Sequence, residues 1–136
     1  MPFNRSYPAH PPHDSRLIRI LSRIMLDVTG EEIDDERAAG MILRTLEALP
    51  EEQAVDLSRA ARFFDSGLGG VFSIARPSRY LEAARGLRLR RLESFSRSRI
   101  PVFRTIATGL HRFGAAAWWS LDEHQAAIGV SMEEQD

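Results

Sequence analysis

The stretch from Arg99 to Trp119, "RIPVFRTIATGLHRFGAAAWW", constrains this chain more than any other. It is the longest apolar-periodic run. Phe103, Ile106, Ala107, Leu110, Phe113, Ala117 and Trp118 recur at helical spacing and form one broad stripe. Pro101 suits a first turn. Gly109 and Gly114 each weaken a helix by roughly 1 kcal/mol relative to Ala, but they also let another helix approach closely. A long helix with so wide a stripe needs cover. The expectation is an all-α fold, a compact bundle of five or six helices with this helix at its centre.

Length and composition suit one domain of 136 residues. There is no Cys, which excludes disulfides, thiolate metal sites and a cysteine nucleophile. No apolar run reaches the roughly 18 residues that a membrane span needs. No basic segment followed by an apolar core opens the chain, so a cytoplasmic location is expected, or a periplasmic one if the chain is trimmed or co-exported. All 18 basic residues are Arg. Residues 1–66 hold 12 acids and 8 arginines, residues 67–113 hold 10 arginines against Glu82 and Glu93, and residues 114–136 hold five acids and no Arg. A basic middle between acidic ends is either a docking surface or a set of charges neutralised inside the fold.

Taken in order, residues 1–14 read as a flexible, Pro-rich arm, 15–130 as the helical domain and 131–136 as a polar tail. The first helix is expected over 15–28, capped by Ser15. Leu17, Ile20, Leu21, Ile24, Met25 and Val28 would face inward, and Arg16, Arg19, Arg23 and Asp27 outward. Thr29 with Glu32 resembles a capping box for the next helix, which runs to about Leu49 with Ala38, Met41, Ile42, Thr45, Leu46 and Leu49 inside. A third helix over 51–64 buries Ala54, Leu57, Ala60, Ala61 and Phe64. The glycines of "DSGLGGVF", residues 65–72, predict a turn between helical hairpins. "RPSRYLEAAR" restarts a helix over 77–85. After Gly86 a further segment offers Leu87, Leu89, Leu92 and Phe95 to the core; the alternation Leu87-Arg88-Leu89-Arg90 also fits a short strand, but no partner strand is in sight. Ser120 with Glu123, and Gly129, read as the two ends of a last short helix, whose Ala126, Ala127 and Ile128 would close the core.

No catalytic constellation emerges. His10 and His13 lack a carboxylate cage beyond Asp14. "EEIDDE" at 31–36 lacks the ligand alternation and glycine of a calcium loop, and acids belong in a helix's first turn. "GLGG" has no following Lys-Ser/Thr for a phosphate loop. Glu82 and Glu93 are expected to pair with nearby arginines. His111 and His124 sit in no metal-binding repeat, and no "GxSxG" elbow is present. Catalytic, cofactor-binding and metal residues are therefore all read as none, and the isolated chain as no enzyme. Arg88, Arg90, Arg91, Arg97, Arg99, Arg104 and Arg112, with Ser94, Ser96 and Ser98, leave open a small helical nucleic-acid-binding or regulatory protein. Protein docking is the stronger reading. Trp118 and Trp119 are adjacent, so one helix face cannot easily bury both; either one fills the core while the other anchors a partner, or both complete a broad core edge, and Phe72 and Tyr80 are read likewise. The partner-binding candidates are Tyr80, Arg90, Arg91, Arg97, Arg104, Trp118 and Trp119.

Several stretches carry a resemblance. "ALPEEQAVDLSRAARFF" at 48–64 is one. "YLEAARGLRLRRLESFSRSRIPVFRTIATGLHRFGAAAWWSLDEHQAAIGV" from Tyr80 onward is another, with Leu49-Pro50, Arg104 and Ile128-Gly129 as further points. Over roughly residues 17–129 the chain resembles the small non-catalytic subunits of flavin-dependent GMC-type sugar and alcohol dehydrogenases, the gluconate 2-dehydrogenase subunit 3-like group. The resemblance implies an accessory subunit that binds and stabilises or matures a larger flavoprotein. FAD would be held by that partner and no cofactor by this chain, and electrons would pass to a downstream acceptor protein. The chain departs from the group in lacking a twin-arginine signal and an aromatic glycine-proline tail.

Overall fold

The structure, a computed structural model, describes residues 14–74 and 77–135, and the side chains of the last helix as far as Trp119. The described residues form an all-α bundle of six helices and no strands: α1 Ser15–Thr29, α2 Asp35–Ala48, α3 Glu51–Asp65, α4 Gly67–Ile74, α5 Arg85–Ser96 and α6 Pro101–Gln135. A 3-10 turn at Tyr80–Glu82 links α4 to α5. The expected arm lies outside the described residues except for Asp14.

α6 is central as expected, but it shares that place with α1, its main packing partner; each packs on four other elements. Ile18 and Leu26 are buried as well as the expected Leu17, Ile20, Leu21, Ile24 and Met25, because α2, α3 and the 3-10 turn cover α1 on sides that α6 leaves free. Its ends are fixed locally. Asp14, rather than Ser15, is the N-cap, accepting from the Arg16 and Leu17 amides at 2.7 and 3.3 Å. Gly30 closes the helix at φ 76°, a left-handed cap whose amide donates to the Leu26 carbonyl at 2.8 Å. The second helix starts at an Asp34 cap, not at a Thr29–Glu32 box. Thr29 instead donates back to the Met25 carbonyl, and Glu32 pairs with Arg23.

The α6 stripe is as the spacing predicts. Phe103, Ala107, Leu110, Phe113 and Ala117 are buried, with Ile106 and Trp118 packed at the edge. Its two glycines differ. A Cβ at Gly114 would lie 3.2 Å from the Met25 Cα, so this glycine sits where α1 and α6 close up. Gly109 meets nothing within 4 Å and serves no approach. The separate helix expected from Ser120 does not exist. Nothing after Trp119 breaks the backbone ladder, and α6 runs on to Gln135.

Two middle segments also depart from expectation. Residues 67–74 are helical, not a turn. Ser66 accepts from the Gly69 amide at 3.2 Å in the manner of a cap, and a Cβ on Gly69 would fall 2.5 Å from the Phe64 carbonyl oxygen. The glycines therefore allow α4 to fold against the end of α3. The helix expected over 77–85 shrinks to the 3-10 turn, because the Leu81 amide bonds to Asp65 at 3.1 Å instead of to a carbonyl of its own segment. Residues 85–96 are helix and not strand. Leu92 and Phe95 are buried, whereas Leu89 points outward. A ring cluster joins these parts: Phe95 stacks on Phe103 at 4.9 Å, meets Phe64 edge-on at 4.9 Å, and Phe64 lies 5.0 Å from Tyr80.

Candidate functional site

The structure divides the arginine-rich middle into an inward set and an outward set. Asp27, expected on the outside of α1, is buried with a side chain 1% exposed. It accepts a short hydrogen bond from the Tyr80 hydroxyl. Arg88 grips its two oxygens at 2.8 and 3.2 Å, and Arg23 lies 3.4 Å away. The hydrogen bond to Asp27 holds the Arg88 guanidinium above its ordinary pKa. Burial, reinforced by the Asp27 charge, pushes the Tyr80 phenol far above the usual tyrosine range. Asp65 forms a second buried node. It accepts from Arg16 at 2.9 Å and from the Leu81 amide, while Arg16 also reaches Glu82 at 3.1 Å.

Arg91 forms the third node, and it is 1% exposed. Its guanidinium donates to the Phe64 carbonyl at 2.7 Å and reaches those of Asp65 and Ser66 at 3.3 and 3.4 Å. It also donates to the Ser78 carbonyl and hydroxyl at 2.8 Å each. Carbonyls at the end of α3 have no helical partner, and Arg91 supplies one. Burial pulls its pKa down, but an arginine stays charged at any ordinary pH. The three nodes bolt the segment from Ser78 to Ala83 onto α1, α3 and α5.

Two of the seven sequence-predicted contact residues must be corrected. Tyr80 is fully buried and Arg91 nearly so; both are fasteners of the fold and present no docking surface. The other five are not one patch. Arg90, Arg97 and Arg104 are exposed, although Arg97 leans toward Glu93 at 3.6 Å and Arg104 donates to the Ser98 carbonyl at 2.8 Å. Trp118 packs against the core edge, whereas Trp119 is 57% exposed, the division expected of adjacent indoles. Trp119 stands about 26 Å along α6 from Val102.

Sequence reasoning weighed Phe72 as a possible anchor but missed the exposed apolar residues around it. Leu68 and Phe72, one helical turn apart on α4, are each more than half exposed, with Val71 beside them. Phe72 meets Phe103 edge-on at 5.1 Å, which brings this face of α4 to the start of α6, where Ile100 and Val102 are also exposed. Arg99 and Arg104 flank it, and Arg99 has no carboxylate within ion-pair distance among the described residues. The available signal was the apolar sequence Leu68, Val71, Phe72 at i, i+3, i+4 in what read as a glycine loop.

Catalytic geometry is not assembled by the described residues. Glu82 and Glu93 pair with Arg16 and Arg97. No three His, Asp or Glu side chains among the described residues could share a metal ion, and no helix among them is long and apolar enough to cross a membrane. His10, His13 and the His124 side chain lie outside the described residues. No family model, curated protein or solved structure matches the chain.

Proposed function

We propose that this chain is a non-catalytic accessory subunit that docks onto a larger protein through the corner formed by α4 and the start of α6. The partner we propose, on the sequence resemblance, is a flavin-dependent GMC-type dehydrogenase subunit that carries the FAD and the catalytic residues. The observation that carries the docking reading is that Leu68 and Phe72 on α4, and Ile100 and Val102 at the start of α6, are large apolar side chains left in water, with Phe72 against Phe103 joining the two elements and the exposed Arg99 and Arg104 near in sequence. Exposed large apolar side chains gathered in one region of a fold are a mark of interaction sites. The arginine rim favours an acidic border on the partner. The accessory chain would bury the corner against the larger subunit and steady it. Electrons would leave the flavin for a separate acceptor without passing through this chain.

The test is tagged purification from native cells, read by flavin absorbance in the eluate. Flavin is expected with the unaltered chain and lost with the double variant Leu68→Glu/Val102→Glu, whose thermal midpoint should be unchanged. A flavin-free eluate holding a different protein would keep the docking surface but reject the dehydrogenase. Salt-sensitive binding of purified chain to DNA or RNA would favour the nucleic-acid alternative.

A further inference from the structure

A second surface, separate from the α4–α6 corner, lies between α1 and α2. Here the two helices leave an open groove of about 620 Å³. Ile18 and Leu26 of α1 form its floor, and Ala39, Leu43 and Leu81 its partly exposed walls. Its charges are segregated. Arg19 and Arg23 stand on the α1 wall, Asp35 and Glu36 on the α2 wall. Arg23 is already matched by Asp27 and Glu32. Arg19, Asp35 and Glu36 have no ion-pair partner among the described residues.

We infer that this groove receives an amphipathic α-helix of a partner protein, acidic in its first turn and basic about two turns later. From Ser15 to Leu26, α1 spans eleven steps, about 16 Å, which matches three turns of a helix laid along it. An apolar stripe at i, i+3, i+4, i+7 would fill the floor. Because α2 starts beside the end of α1, Arg19 lies toward one end of the groove and Asp35 and Glu36 toward the other. A helix parallel to α1 would bring its acidic first turn to Arg19 and its later basic residues to Asp35 and Glu36. That polarity also agrees with its own macrodipole, which favours acids at the start and bases at the end. A second copy of the same concave face would meet it hollow to hollow and leave the floor unfilled.

The experiment titrates the purified full chain into a fluorescently labelled, end-capped synthetic helix of about 14 residues. The peptide carries leucine at every third or fourth position, glutamate in the first turn and lysine two turns later. Its control exchanges the glutamates and lysines. Saturable binding is expected, at least tenfold tighter than the control. Arg19→Glu, on the exposed surface, should collapse the tenfold preference between the two peptides, because both ends of the groove are then acidic, and Ala39→Glu should abolish binding by filling the trough. Equal binding of both peptides, no binding of either, indifference to Arg19→Glu, or dimerisation of the chain through this face would each overturn the inference. None of these outcomes depends on the flavoprotein partner or on the α4–α6 corner.

Discussion

The Asp27–Asp65–Arg91 interior and the α4–α6 corner invert the usual distribution of residue types. In the first, charged side chains are sunk among Tyr80, Phe64 and Leu92; in the second, Leu68, Phe72 and Val102 face water. Each charge in the interior is met by an opposite charge or by a backbone carbonyl, so the desolvation cost is offset locally. The apolar corner has no such internal compensation. Apart from Phe72, which meets Phe103, its exposed side chains gain little from the folded state of the single chain. Removing an interior group should therefore damage the fold, whereas removing a corner group should damage association and leave the fold intact.

The largest expected effect is that of Arg91→Ala. It strips partners from the last carbonyls of α3 and from Ser78, and should cost about 3–5 kcal/mol, read as a denaturant midpoint shift. Asp27→Asn keeps the shape but leaves Arg88 and Arg23 facing a neutral amide, and should cost about 3 kcal/mol. Tyr80→Phe should cost about 1–2 kcal/mol at neutral pH by removing the donor to Asp27. It also carries a pH signature. The folded phenol keeps its proton where an unfolded tyrosine, with a pKa near 10, releases it. The stability this contributes is fully present below about pH 10 and falls above it by about 1.4 kcal/mol per pH unit. Urea unfolding from pH 9 to 11 should show that slope in the unaltered chain and lack it in Tyr80→Phe.

Smaller effects sharpen the contrast. Gly109→Ala, where a Cβ meets nothing within 4 Å, should stabilise by about 0.5–1 kcal/mol in thermal melts. Leu68→Glu/Val102→Glu should change stability by no more than about 0.5 kcal/mol while removing partner capture. A large loss of stability there would make the corner part of the fold and not a docking face.

Much of the bundle was legible in the chain itself. The 3.6-residue spacing of Phe103 through Trp118, and that of Leu17 through Met25, located two helices and their inward faces because burial imposes that period. The candidate site was legible only in part. Of the seven contact residues named from residue type only Arg104 borders the α4–α6 corner, and Tyr80 and Arg91 were assigned to the wrong side. Spacing carried the missing signal. Asp27 sits seven residues after Ile20 and three after Ile24, and Arg91 sits four before Phe95. Both lie on apolar stripes, and charge overruled position in reading them as exposed.

By itself, the sequence determined the helical class, the inner stripes of α1 and α6 and the absence of thiol and disulfide chemistry, since these depend on composition and on contacts within a few residues. The tertiary structure alone decided which arginines are fasteners and which are free. That choice depends on whether a carboxylate or a backbone carbonyl 13 to 61 positions away in the chain arrives within about 3 Å of the guanidinium. It also turned a glycine loop into α4 and so left Leu68 and Phe72 in solvent, because only the packing of α4 against α3 and α5 fixes which side of that short helix remains uncovered.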